Sequence, residues 1–180
     1  MANILILGAG SMGTAFSYPC SDNYHSVSII GTHLENDFID QINSRKKHQT
    51  LNCDVPKSVK FSKFEKLGEE INNKVDLIVI AVISKGIEWA SIELSKVLKS
   101  NIPILILTKG LAINNNNYEI LAHKMERLLK HHGIKETNIT AAGGPCLAKG
   151  LANKVHTSVV FANTDIKIAK QISQLVSTDY

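Results

Sequence analysis

Short apolar runs alternate with longer amphipathic stretches along almost the whole chain. Most of the apolar runs are rich in β-branched residues and lack polar–apolar alternation, which predicts strands of a parallel sheet covered on both faces. The predicted strands are Asn3–Leu7, Val27–Ile30, Val75–Val82, Pro103–Leu107, Asn138–Ala142 and Thr157–Phe161, with a weaker one near Val59–Phe61.

The stretches between these strands predict helices. They cover Ser11–Tyr18, Glu35–Ser44, Lys63–Asn72, Lys85–Lys99, Tyr118–His132 and Asp165–Val176. Strands that alternate with helices imply right-handed crossovers and an open, doubly wound sheet. The pattern therefore predicts an α/β fold with a mostly parallel sheet and helices on both faces. No internal repeat or linker interrupts it, so we expect residues 1–180 to form one domain.

The composition is that of an ordinary globular protein and argues against two classes of partner. The 180 residues are 44% hydrophobic and 20% charged, with a formal net charge of +4. The lysines are spread along the chain, and the short basic run Arg45–Lys47 has no interleaved aromatic residues, so we expect no nucleic acid partner. The longest apolar runs, such as Leu77–Ile83, are too short to cross a bilayer, so we expect no membrane span.

The cysteines predict neither a metal site nor a disulfide framework. Cys20, Cys53 and Cys146 are far apart and odd in number. The N-terminus also lacks the basic region, apolar run and small-residue cleavage site of a signal peptide. A reducing cytoplasm is therefore the expected location, and no bound metal is expected.

A complete G-x-G-x-x-G motif runs from Gly8 to Gly13, after a predicted strand and at the start of a predicted helix. In this context Gly8 permits a tight turn, Gly10 lets the backbone approach a pyrophosphate, and Gly13 lets the helix pack on the strand. Ser11 and Met12, which begin the helix, are placed to touch a cofactor. The motif predicts a Rossmann-type dinucleotide-binding domain rather than a turn without a ligand.

The sequence leaves the choice between NAD and NADP open. An acid about twenty residues beyond the glycines normally binds the ribose hydroxyls and signals NAD. The second predicted strand ends in Thr32 and His33, which are not acidic, and Glu35 is assigned to the next helix. No arginine stands there to indicate NADP.

Two further predicted strands end in residues suited to a ligand site. Lys109 follows the strand Pro103–Leu107, at the carboxyl end where open α/β sheets bind their ligands, although for this residue taken alone an ordinary surface lysine after a strand is favoured. The other is the predicted strand Asn138–Ala142, which runs into the turn Gly143-Gly144-Pro145-Cys146 and then into a helix start. For Cys146, a small packing residue is favoured over a nucleophile, because no base stands beside it in the sequence.

Taken together, these stretches resemble the N-terminal part of NAD(P)-dependent glycerol-3-phosphate dehydrogenases. "ILGAGSMGTAF" is similar to the family's nucleotide loop, "LILTKGL" to its substrate lysine strand and "GGPCLAKGLA" to its Gly-Pro turn. The stretch "IIGTHLENDFIDQINSRKKHQTL" is similar to the family's second strand, helix and following loop. The resemblance covers essentially the whole chain.

The resemblance implies NAD or NADP as cofactor and a set of residues that bind it. Ser11 and Met12 would contact the cofactor diphosphate, beside the glycines of the turn. Thr32 would lie in the adenosine pocket, Lys109 would touch both cofactor and substrate, and Ala148 would contact the cofactor.

The resemblance also implies the substrate and the reaction. The family interconverts sn-glycerol 3-phosphate and dihydroxyacetone phosphate by hydride transfer, within glycerol phosphate metabolism and phospholipid biosynthesis. Lys109, Gly144 and Cys146 would bind the substrate, and Lys109 would also stabilise charge. Family members continue into a helical C-terminal domain that this sequence lacks, so the 180 residues alone are expected to be catalytically incomplete. A homodimer or that missing domain is the expected protein partner.

Two alternatives stay open from the sequence. One is a non-catalytic module that only binds NAD(P)(H). The other is a dehydrogenase similar to ketopantoate reductase, although such enzymes do not as a rule combine the Thr-Lys-Gly strand end with the Gly-Pro turn.

Overall fold

The computed structural model describes residues 1–72, 74–99 and 101–180. Its strands are β1 (Asn3–Leu7), β2 (Ser26–Ile30), β3 (Lys47–His48), β4 (Cys53–Asp54), β5 (Lys60–Ser62), β6 (Leu77–Ile80), β7 (Ile104–Ile106), β8 (Leu111–Asn114), β9 (Asn117–Ile120), β10 (Ile139–Gly143) and β11 (Val160–Ala162). Its α-helices are α1 (Ser11–Asp22), α2 (Asn36–Arg45), α3 (Leu67–Asn72), α4 (Gly86–Val97), α5 (Leu121–His131), α6 (Ala148–Ala152) and α7 (Ile166–Val176). A short 3₁₀ helix, Phe64–Lys66, leads into α3.

Seven of the strands form one sheet in the order β11-β10-β7-β6-β1-β2-β5. Every neighbouring pair is parallel except β10 and β11. The chain moves from β1 outward through β2 to β5, and then places β6 on the other side of β1. This reversal of direction lies between β1 and β6, and the crevice at such a point is where open α/β sheets bind ligands.

The sheet is covered on both faces, which explains why β1 is apolar at consecutive positions. Ile4 and Ile6 belong to one buried cluster, whereas Leu5 and Leu7 belong to another. Alternate side chains of a strand point to opposite faces, so a strand buried on both sides has no polar position to spare. Helices α1, α2, α6 and α7 cover the first face, and α3, α4 and α5 cover the second. The doubly wound, mostly parallel architecture predicted from the sequence is confirmed.

Each predicted strand and helix has a counterpart, but one predicted helix begins too early. Residues Tyr118–Ile120 were assigned to the helix Tyr118–His132 and instead belong to β9. They pair with β8 in an antiparallel hairpin whose two turn residues, Asn115 and Asn116, have φ of 49° and 62°. Asparagine tolerates this left-handed conformation, which a two-residue hairpin turn requires.

The second small hairpin, β3–β4, was also not expected from the sequence. It follows α2 and contains two-residue strands, which are too short to show an apolar pattern. The hairpin places His48 in the buried interior with 1% of its surface exposed.

The three cysteines are free thiols. Burial raises the pKa of the Cys20 thiol, which keeps it protonated and unreactive. Within the described ranges, no three His, Cys, Asp or Glu side chains stand close enough to hold a metal ion. Over the same residues, no helix combines the length and the apolar character needed to cross a membrane.

Candidate functional site

The glycine turn lies in the crevice between β1 and β6, and two of its glycines are required by the backbone itself. Gly8 has a φ of +112°, and a Cβ there would lie 2.8 Å from the carbonyl oxygen of Ala81. A Cβ on Gly13 would lie 2.0 Å from the Gly8 carbonyl oxygen. A side chain at either position would force β1 away from β6 or α1 away from the turn. Gly8 and Gly13 therefore shape the turn independently of any ligand.

Gly10 differs from Gly8 and Gly13 because, among the described residues, no backbone or side-chain atom lies in close contact with it. A Cβ at Gly10 would meet only a carboxylate oxygen of Glu35, at 3.8 Å, and its φ of −62° suits any residue. The amides of Ser11, Met12 and Gly13, in the first turn of α1, have no hydrogen-bond acceptor within the described ranges. Unpaired amides at the positive end of a helix dipole form an anion site. The open space at Gly10 lets a ligand reach them.

Glu35 supplies an acid at the edge of the turn, which the sequence analysis assigned to the next helix. It immediately precedes α2, and its Oε2 accepts hydrogen bonds from the Ala9 amide at 3.2 Å and the Thr32 amide at 2.6 Å. The carboxylate thus joins the end of β2 to the glycine turn. The available signal was an acid at the first position of a predicted helix, close to the end of the second predicted strand.

Thr32, predicted to lie in an adenosine pocket, is half-buried at this same edge. The next residue, His33, packs against Trp89 of α4 with ring centroids 4.9 Å apart. Trp89 also contacts Phe64, with centroids 5.1 Å apart. The loop after β2 therefore meets the start of α4 through aromatic side chains.

Lys109 and the Gly-Pro turn, which are 35 residues apart in sequence, meet at the carboxyl ends of β7 and β10. The Lys109 Nζ donates a hydrogen bond to the Gly144 carbonyl oxygen at 2.5 Å. Gly144 has a φ of +112°, and a Cβ there would lie 2.6 Å from the Ser158 carbonyl oxygen. Thr108 anchors the end of β7 by donating from its Oγ1 to the Val82 carbonyl oxygen. The structure therefore brings together two of the predicted substrate residues.

A cavity of about 280 Å³ lies beside Lys109 and is lined by residues from both the predicted cofactor site and the predicted substrate site. Met12 of α1, Lys109 and Cys146 all line it. Cys146 is buried among apolar side chains and exposes only 7% of its surface. Ala148, the first residue of α6, is half-buried in the same cluster. Ser11 and Thr32 do not line this cavity and belong to the region around the glycine turn.

His48 is a buried residue near the glycine turn that sequence reasoning missed. Its Nδ1 accepts a hydrogen bond from the Leu51 amide at 3.2 Å, so the ring proton is on Nε2. That nitrogen is buried and makes no hydrogen bond of normal geometry within the described residues. Burial lowers the pKa of His48, and the nearby Ala9 carbonyl and Glu35 carboxylate oppose this fall without reversing it.

The reversal point, the glycine turn and the free amides define a Rossmann-type dinucleotide-binding domain. The chain belongs to the family described as NAD-dependent glycerol-3-phosphate dehydrogenase N-terminus, whose model matches residues 3–169. The resemblance inferred from the sequence motifs is thereby confirmed. The match therefore favours this family over the alternative of a dehydrogenase similar to ketopantoate reductase.

Individual relatives agree with this assignment. The chain is 28% identical over 181 residues to glycerol-3-phosphate dehydrogenase [NAD(P)+] of an Exiguobacterium species, covering 99% of this chain and 50% of the relative. It is 27% identical to NADP(+)-dependent glycerol-3-phosphate dehydrogenase of Archaeoglobus fulgidus, covering 98% of this chain and 51% of the relative. The chain thus spans about half the length of these curated relatives.

A solved structure shows the same fold at lower identity. The crystal structure of glycerol-3-phosphate dehydrogenase from Coxiella burnetii superimposes with a TM-score of 0.83 at 21% identity. The superposition covers 99% of this chain and 51% of that one. The fold is therefore shared over almost every residue of the chain.

Proposed function

We propose that the chain binds NAD or NADP with the coenzyme pyrophosphate over the first turn of α1. The main support for this proposal is the combination of open space at Gly10 with the unpaired amides of Ser11 and Met12. Amides at a helix N-terminus donate to a diphosphate, and the missing side chain at Gly10 lets it come close. The cofactor names of the relatives support the same group.

The two ends of the coenzyme then fall on either side of Gly10. The adenosine lies toward Thr32, at the carboxyl end of β2. The nicotinamide lies toward the cavity lined by Met12, Lys109 and Cys146, next to the start of α6 at Ala148. An extended dinucleotide across the carboxyl ends of the strands is the arrangement that this fold favours.

The substrate of the proposed dehydrogenase is a small phosphorylated molecule, sn-glycerol 3-phosphate or dihydroxyacetone phosphate. Bound NAD(P) supplies or accepts the hydride. The ammonium group of Lys109 is held in place by the Gly144 carbonyl and offers positive charge to the substrate phosphate or its reacting oxygen. Cys146 contributes packing to the wall of the substrate site, because it is buried.

The coenzyme site is tested by replacing Gly10 with valine. A Cβ at Gly10 would meet no described atom closer than 3.8 Å, so we expect G10V to fold, which a thermal melt checks. The valine would occupy the space of the pyrophosphate, and we expect NADH and NADPH to bind at least about tenfold more weakly in calorimetric titrations. Gly68→Ala in α3, away from the crevice, is the matched control and should bind like the wild type. Unchanged binding by G10V would contradict the proposed position of the pyrophosphate.

The substrate site is tested by replacing Lys109 with methionine, which keeps the length of the side chain and removes its charge. With the chain saturated with coenzyme, K109M should bind sn-glycerol 3-phosphate at least about tenfold more weakly, because a charge-assisted contact is lost. Lys135→Met, an exposed lysine after α5, should have no effect. Equal affinities in K109M and the wild type would remove Lys109 from the proposed substrate site.

A further inference from the structure

His48, on the small hairpin β3–β4, lies behind the glycine turn. Its ring is buried, and the carbonyl oxygen of Ala9, the residue between Gly8 and Gly10, lies near it. Ala9 belongs to the same buried cluster as Leu51, whose amide donates to the His48 Nδ1. The ring therefore packs against the inner side of the backbone that carries the proposed pyrophosphate site.

The ring has one nitrogen for each of these two neighbours. Nδ1 accepts from the Leu51 amide at 3.2 Å, so the proton of the neutral ring is on Nε2. Nε2 is buried and makes no hydrogen bond of normal geometry within the described residues, and the Ala9 carbonyl is an acceptor close to the ring. A buried N–H group is stabilised by an acceptor, so we expect the Nε2 proton to attract this carbonyl.

The hairpin that carries His48 also contacts the middle of α1. The Tyr18 hydroxyl donates to the Asp54 carbonyl oxygen at 2.5 Å, and its oxygen lies 3.0 Å from the Cys53 Sγ. Cys53 pairs with His48 across the hairpin. The hairpin therefore meets α1 at Tyr18 and the turn that precedes α1 at Ala9, which fixes the ring relative to both.

The backbone of Ala9 determines where the first amides of α1 point. Its carbonyl oxygen accepts from the Thr14 Oγ1 at 2.9 Å, and its amide donates to the Glu35 Oε2 at 3.2 Å. A carbonyl oxygen has two lone pairs, so it can accept from Thr14 and from His48 together. The peptide groups at Ala9 are thus held from inside the protein, while the amides that follow Gly10 face the proposed ligand.

We propose that His48 is a positioning residue of the coenzyme site, which holds the Ala9 carbonyl through its Nε2–H group and thereby fixes the glycine turn under the pyrophosphate. The inference rests on the proposed coenzyme function and adds to it a residue from outside the glycine motif. His48 acts through the turn and makes no contact with the coenzyme. A turn that is already fixed binds a diphosphate more tightly, since less ordering remains when the ligand arrives.

The two nitrogens of His48 can be tested separately, because asparagine and glutamine each imitate one of them. His48→Asn places an oxygen near the position of Nδ1, where it can accept from Leu51, and is too short to reach Ala9. His48→Gln places an amide nitrogen near the position of Nε2 and loses the acceptor for Leu51. In calorimetric titrations, H48N should bind NADH about tenfold more weakly than the wild type, and H48Q should stay within about threefold, since one hydrogen bond accounts for up to about a tenfold change.

Urea unfolding of the same variants distinguishes positioning of the turn from support of the hairpin. H48Q loses the contact to Leu51 and should unfold at a lower urea concentration than H48N, although it binds NADH more tightly. If NADH affinity instead follows the urea midpoints across the variants, His48 only stabilises the hairpin and the inference is wrong. His132→Asn, at the exposed end of α5, is the matched control and should bind NADH like the wild type.

A measurement on the wild type decides the question if either variant fails to fold. The Nε2–H resonance of His48, observed by NMR with isotope-labelled histidine, should shift when NADH is added, because Ala9 lies next to the residues that bind the pyrophosphate. The ring resonances of His132 serve as the reference and should stay in place. An unchanged His48 resonance in the NADH complex would contradict the proposed coupling between the ring and the turn.

The outcomes separate the inference from the function on which it rests. Wild-type NADH affinity in H48N would overturn the inference and leave coenzyme binding intact. So would equal weakening in H48N and H48Q, because the Nε2 position would then have no separate role. If NADH does not bind to the folded wild-type chain, the proposed function fails, and the inference fails with it.

Discussion

At the scale of single residues, His48 is the titratable group whose burial has the clearest consequence for stability. Its ring is enclosed, with an edge-on contact to Phe38 at 4.9 Å between centroids, and its Nε2 is unpaired within the described residues. Protonation would place a charge in this enclosed space and would displace the Leu51 amide from Nδ1. For this reason the folded protein favours the neutral ring.

The lowered pKa of His48 predicts a loss of stability in mild acid. In the unfolded chain a histidine gains its proton near pH 6.5, whereas in the folded chain it does so only at lower pH. As the pH falls below about 6.5, the unfolded state therefore binds more protons, and the free energy of unfolding decreases by at most about 1.4 kcal/mol per pH unit. Urea unfolding from pH 7.5 to 5.0 measures this slope.

His48→Asn should remove the contribution of His48 to that slope, because its side-chain oxygen can still accept from the Leu51 amide but does not titrate. His132→Asn, at the exposed end of α5, removes one histidine of the same type and should keep the wild-type slope. A slope in H48N equal to that of the wild type would show that other groups cause the acid sensitivity.

At the scale of elements, the sequence predicts the strands and helices that are buried and have a regular pattern of apolar residues. Strands β1, β6 and β7 could be predicted because each is a run of apolar residues covered on both faces, and the glycine motif because Gly8 and Gly13 are required by the backbone. The hairpin β8–β9 could not, since its strands combine exposed apolar residues with the polar turn at Asn115 and Asn116. Irregular loops show the same pattern of residues. A hairpin differs from such a loop only in the pairing of its two strands, which the local sequence does not show.

The same limit applies to the candidate site. Lys109 and Gly144 were predicted separately because each follows a buried strand, but their direct contact depends on β7 and β10 lying side by side. Glu35 was missed because its carboxylate turns away from its own helix toward an amide 26 residues earlier. Contacts between distant segments follow from strand order and side-chain direction, which no local pattern of residues contains.

At the scale of the whole molecule, the two buried clusters share the strands of a single sheet. Ile6 is fully buried on one face, and Trp89, the single tryptophan, packs on the other. Ile6→Ala should lower the free energy of unfolding by about 2 to 5 kcal/mol. Because β1 serves both faces, we expect the fluorescence of Trp89 and the far-ultraviolet circular dichroism to shift together in urea.

Leu147→Ala, at a side chain that is 74% exposed, is the control. It should leave the urea midpoints of the Trp89 fluorescence and of the circular dichroism unchanged. A separate transition of Trp89 fluorescence in I6A would mean that the two faces unfold independently. It would also contradict the expectation that residues 1–180 form one domain.

The hydrogen bond of Lys109 has a consequence for how ligands arrive. Its Nζ donates to a carbonyl oxygen, and within the described ranges no carboxylate forms an ion pair with it. A carbonyl carries only a partial charge, so the ammonium group keeps a positive field at the carboxyl ends of β7 and β10, in a chain of net charge +4. That field extends about 8 Å at physiological ionic strength. We expect this field to attract phosphorylated molecules toward Lys109 before contact, and added salt to slow their capture.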